Sequence, residues 1–92
     1  MLIAKRWEHI LDRHPDMAPH LTDIIATVSE PDCIMRDVKH ARRENFYRGV
    51  GDGGKRAPRH VKVCIEFGPT GGTIITAYMT QRTKPGERRL WP

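Results

Sequence analysis

The stretch Arg59-His60-Val61-Lys62-Val63-Cys64-Ile65-Glu66-Phe67 decides the fold, because Val61, Val63, Ile65 and Phe67 alternate with His60, Lys62, Cys64 and Glu66. A period of two marks a strand with one face in a core and the other largely polar. Gly68-Pro69-Thr70-Gly71-Gly72 follows as a hairpin turn. Thr73 to Thr80 then returns, with Ile75, Ala77 and Met79 expected on the core face. Thr76, Tyr78 and Thr80 fall on the other face, joined by Arg82 if the strand continues.

Upstream, residues Gly49 to Pro58 hold four glycines and a proline, which reads as a long flexible loop. Before it, Glu44 to Val50 reads as a strand carrying Phe46 and Tyr47, and Asp32 to Arg36 as a weaker one. Downstream, the basic tail Gln81 to Pro92 contains Pro85-Gly86 and is expected to be a loop, anchored by Leu90 and Trp91.

The first third of the chain follows a different period. Trp7, Ile10, Leu11 and His14 share one face of a helix, while Arg6, His9 and Arg13 share the next. This helix should stop at His14, because the residue before Pro15 is biased away from helical geometry. A second helix is expected to restart near Pro19, with Leu21, Ile24, Ile25 and Val28 as its apolar stripe, and to end near Ser29.

The expectation is a single α+β domain over residues 1–92: two N-terminal helices, near 4–14 and 19–29, packed on one face of a mainly antiparallel sheet of about four strands. Its core should hold Trp7, Ile10, Leu11, Leu21, Ile24, Ile25, Val28, Val61, Val63, Ile65, Ile75 and Ala77. A chain of 92 residues hides about two thirds of its extended surface on folding, which leaves room for one core and one site.

The net charge of +5 is unevenly placed. Residues 1–35 carry three basic and six acidic groups, residues 36–62 nine and three, and residues 81–92 four and one. Such asymmetry points to a polyanion-binding surface. Cys33 and Cys64 have neither metal spacing nor a disulfide framework around them, so a reduced cytoplasmic protein is the simpler reading, with a bridge still open. Charges interrupt the start of the chain, and no stretch approaches the roughly 18–20 apolar residues of a membrane span, so no membrane role is expected.

His9 and Arg13, four residues apart, are the sharpest candidates for chemistry. Phosphodiester cleavage needs proton transfer at two oxygens and positive charge where negative charge develops. The bland alternative is an exposed helix face with ordinary ion pairs. His14 can join them or merely finish the helix. The row Thr76, Tyr78, Thr80, Arg82 can hold and orient a phosphate, although threonine and tyrosine also favour strands for packing alone. Arg42, Arg43, Arg48, Lys55, Arg56, Arg59 and Lys62, interleaved with Phe46 and Tyr47, suit backbone contact and base stacking on single-stranded nucleic acid, or else form a solvated surface. The five histidines lack zinc-ligand spacing, so neither a metal site nor a cofactor is expected.

His9-Ile10-Leu11-Asp12-Arg13-His14-Pro15, then Glu44-Asn45-Phe46-Tyr47-Arg48, then Ile75-Thr76-Ala77-Tyr78 together resemble small phage- and mobile-element-encoded nuclease-like domains of the barnase, EndoU, colicin E5/D and RelE-like group. The likeness runs from Trp7 to about Arg82, and a BrnT-type toxin fits less well at the first of these motifs. It implies a metal-independent endoribonuclease, of the kind that serves as a toxin or mobile-element effector, that cleaves RNA by 2′-hydroxyl attack. His9, Arg13 and His14 are then expected on the helical side of the site, with Thr76 and Tyr78 on the strand side, joined by Thr80 and Arg82 if the strand extends that far. RNA and an acidic antitoxin or immunity protein are the implied partners. The alternative is a non-catalytic nucleic-acid-binding or partner-binding module of the same fold.

Overall fold

A computed structural model describes residues 4–50 and 59–91. The chain runs α1 (Ala4–Arg13), a 3-10 helix (Pro15–His20), α2 (Leu21–Ser29), β1 (Cys33–Arg36), β2 (Arg43–Val50), β3 (Arg59–Gly68), β4 (Gly71–Thr80) and β5 (Arg88–Trp91). The five strands form one antiparallel sheet in the order β4-β3-β2-β1-β5. The architecture is α+β, with one strand more than expected.

Helix α1 ends where the sequence says it should. The His14 amide still donates to the Ile10 carbonyl at 2.7 Å, and the ring of Pro15 then blocks continuation. The second helix begins at Leu21 rather than Pro19, because Pro15–His20 winds as a 3-10 helix that buries Met17. Within α2 the buried positions are Ile24 and Thr27, and the Thr27 hydroxyl donates to the Asp23 carbonyl at 2.6 Å. That bond satisfies a hydroxyl that is costly to bury alone.

Ile10, Met17 and Ile24 from the helical segments pack with Phe46, Val61, Val63, Ile65, Ile74 and Ala77 from one sheet face. Trp7, Val28, Ile34, Val50 and Met79 close around them. Two core expectations on α2 fail, since Ile25 is 55% exposed and Leu21 38%. The buried stripe of α2 runs through Ile24 and Thr27, and Ile25 lies about 100° around the helix from Ile24.

On β4 the register corrects a third. Cys64 pairs with Thr76 while Ile65 pairs with Ile74, so Ile75 is an extra residue in a β-bulge. Ile74 therefore takes the core position assigned to Ile75, and alternation resumes with Ala77. The Ile75 carbonyl accepts a bond from Arg6 Nη1 at 3.3 Å, which ties α1 to β4 at the sheet edge. In the hairpin, Gly71 adopts φ +125, a region that side-chain-bearing residues rarely enter.

The tail is the largest departure. Instead of a loop, Arg88–Trp91 pairs antiparallel with β1 at the far edge from β4. Residues 81–87 must therefore pass from one edge of the sheet to the other. They do so over the face opposite the core.

Candidate functional site: the polar face of the sheet

The face away from the helices is built in cross-strand rows. Tyr47, Lys62 and Tyr78 form one row, Asn45, Cys64 and Thr76 the next, and Gly49, His60 and Thr80 a third. Strict alternation in β3 places His60, Lys62 and Cys64 here because Val61, Val63 and Ile65 are claimed by the core.

Lys62 lies at the centre. Its ammonium sits 5.4 Å from the Tyr47 ring centroid and 5.5 Å from that of Tyr78, within cation–π range of both. It is also 3.6 Å from Glu87 Oε2. The Glu87 side chain is fully buried although it comes from the crossing segment. Its carboxylate accepts bonds from the Tyr47 hydroxyl at 2.5 Å, Asn45 Nδ2 at 2.5 Å and the Lys84 amide at 2.6 Å. Pro85 and Gly86, the latter at φ +91, make the turn that lets Lys84 and Glu87 meet. One carboxylate thus neutralises the buried lysine and pins the segment across the sheet.

Burial, followed by the adjoining Glu87 carboxylate, pushes the Tyr47 phenol far above its ordinary value. Asn45 Nδ2 also donates to Asp37 Oδ1 at 3.1 Å. Burial opposes the charge of Asp37, but bonds from Asn45 and from the Lys39 and His40 amides outweigh it and hold the carboxyl below its usual range. Burial raises both thiols, Cys33 and Cys64, and each is free. Asn45 Oδ1 and His60 Nδ1 are buried without a partner among the described residues.

The structure brings together one pair from the expected catalytic set. The His14 ring stacks on Tyr78 with centroids 5.0 Å apart and planes at 26°, at the rim of the polar face where α1 ends beside β4. Thr76 lies on the same face of β4, two residues from Tyr78. Arg13 is exposed at the end of α1, and Arg82 is exposed just past β4, its carbonyl accepting from the Thr80 hydroxyl at 3.0 Å. His9 is half-buried and five residues before His14, which places it about 140° away around the helix axis.

Members of the expected nucleic-acid-binding set meet different surroundings, with Arg48 and Arg59 lining one cleft. Arg42 is exposed, Arg43 pairs with Glu66 at 3.0 Å, and Arg48 donates to the Glu30 carbonyl at 2.5 Å. Lys62 is only 5% exposed and Tyr47 1%, so these two are committed to the interior rather than offered as an open stacking platform. Lys55 and Arg56 lie outside the described residues.

Sequence reasoning missed Glu87, Asn45 and His60. Glu87 carried a signal, as the lone acidic group among four basic ones in residues 81–92. Among the described residues no three histidine, cysteine or carboxylate side chains group as metal ligands. No described helix is long and apolar enough to cross a membrane. Comparison with protein-family models, curated proteins and solved structures finds no match.

Proposed function

We propose that the protein is a metal-independent endoribonuclease of the barnase, EndoU, colicin E5/D and RelE-like kind, acting in the cytoplasm at the rim of the polar face. The observation that supports it is the His14–Tyr78 stack beside the Lys62 ammonium. An imidazole is suited to proton transfer near neutral pH, and here it is held in place by a ring rather than left free on a helix. In this reading the RNA 2′-oxygen attacks the adjacent phosphorus and the bond from phosphorus to the 5′-oxygen breaks. The products are a 2′,3′-cyclic phosphate and a free 5′-hydroxyl. His14 takes the 2′-proton or supplies the proton to the leaving oxygen, in place of His9. Arg13 and Arg82 hold the charged phosphate, and Thr76 and Tyr78 orient it.

The test is cleavage of a single-stranded RNA by the purified protein in excess EDTA, with an all-DNA strand of the same sequence beside it. RNA fragments ending in cyclic phosphate, with the DNA intact, are the expected result. Intact RNA refutes the reading.

A second reading, a module that binds an acidic antitoxin or immunity protein without catalysis, is favoured by an apolar groove of about 480 Å³ beside α2, lined by Ile25, Val28, Phe46, Ile65, Phe67 and Ile74. The net charge of +5 complements such a partner. This reading predicts that RNA is left uncut.

A further inference from the structure

On the other side of the sheet, a cleft of about 460 Å³ opens between the start of α2 and the ends of β2, β3 and β4. His20, Asp23, Arg48 and Arg59 supply its polar wall, and Val50 and Met79 its apolar one. Arg48 pairs with Val61, which in turn pairs with Met79, and Arg59 pairs with Val50, so these side chains belong to the helix side, one sheet thickness from His14 and Tyr78.

His20 Nδ1 and Asp23 Oδ2 are 2.7 Å apart. The carboxylate accepts only from a protonated nitrogen, so it holds the ring with its proton on Nδ1 and leaves Nε2 for a ligand. Arg48 is oriented as well. Its Nη1 is spent on the Glu30 carbonyl at 2.5 Å, and the rest of its fork remains. Arg59 has no hydrogen-bond or ion-pair partner among the described residues. Two guanidinium groups and an imidazole thus meet one carboxylate already engaged with the imidazole. Glu30 lies 3.9 Å from Arg48 and is 82% exposed, so it screens Arg48 only weakly. This imbalance of charge in a concave, half-apolar site favours an anion.

We infer that the cleft lined by His20, Asp23, Arg48 and Arg59 binds a phosphate group. The arginine forks match its oxygens in pairs, and a protonated His20 donates a third bond through Nε2. The groups facing His20 are Asp23 in the first turn of α2, Arg48 from β2 and Arg59 from β3, with Glu30 behind Arg48. The inference does not rest on the ribonuclease reading, because the two sites lie on opposite faces of the sheet.

The test follows the histidine rings by long-range proton–nitrogen NMR while inorganic phosphate is added at neutral pH, with acetate as the comparison anion. His40, exposed before β2, is the internal control. The expected result is a saturable change at His20 with phosphate and little with acetate. Arg59→Gln should weaken it about tenfold, the effect of one lost charged hydrogen bond. Arg48→Gln should act in the same direction. Uridine 5′-monophosphate and a dinucleoside monophosphate then separate the sources: binding of the first alone assigns a terminal phosphate, and binding of both assigns a nucleic-acid backbone. A His20 ring indifferent to phosphate, equal response to acetate, or unchanged binding in both arginine variants overturns the inference.

Discussion

Replacing Glu87 by glutamine keeps its shape and removes one charge. In the native protein that carboxylate meets three hydrogen-bond donors, and it lies 3.6 Å from an ammonium of a side chain only 6% exposed. Without it Lys62 is a buried cation with no counter-charge, and breaking a buried pair from one side costs about 3–5 kcal/mol. A small domain has about 5–15 kcal/mol in total. A loss of about 3 kcal/mol lowers Tm by roughly 12–24 °C in a chain of this size. The pair itself contributes much less than this, since two charges must be desolvated to form it. Lys62→Met/Glu87→Gln is therefore expected to recover at least about 1 kcal/mol relative to Glu87→Gln. Urea unfolding followed by far-ultraviolet circular dichroism measures Glu87→Gln, Lys62→Met and the double variant in one double-mutant cycle. A Glu87→Gln protein within about 0.5 kcal/mol of wild type, the range of ordinary surface changes, refutes the assignment. So does a double variant less stable than either single one.

Three further outcomes are expected. The raised Tyr47 phenol binds its proton more tightly folded than unfolded, so its contribution is complete below about pH 10 and is lost as pH rises beyond that; Tyr47→Phe should flatten the alkaline limb of a stability–pH curve. The buried thiol of Cys64, raised by desolvation, should react with a thiol reagent only as fast as the protein opens, whereas Cys33, half-buried, should react sooner. Ile24→Ala, at a position with no exposure, should remove about 2–5 kcal/mol in the same urea experiment, whereas Ile25→Ala, more than half exposed, should remove far less.

The sequence made both helices and four of the strands legible because burial sorts residues by period. Val61, Val63 and Ile65 had to face a core, and the structure buries all three. Ile10 and Ile24 were legible for the same reason. Where burial does not sort residues, the reading ran out. Arg88, Arg89, Leu90 and Trp91 are all exposed, so β5 shows no alternation although it pairs with β1. The bulge at Ile75 is a difference of one residue between paired strands, which no single-strand pattern reveals. On the polar face, Tyr47 and Lys62 looked like parts of an open basic surface, because nothing local shows that a carboxylate 25 residues after Lys62 returns to cover them. His14 and Tyr78 were each legible as candidates; their contact depends on α1 ending beside the β4 edge, a tertiary fact.

The central claim concerns His14, and the most direct measurement compares RNA cleavage rates of His14→Ala and His9→Ala in excess EDTA, with circular dichroism confirming that both are folded. General acid–base transfer by a positioned side chain contributes about 10² to 10⁴-fold. The account predicts a loss of that size for His14→Ala and a rate within a few-fold of wild type for His9→Ala. Full activity in His14→Ala, or a loss confined to His9→Ala, contradicts it.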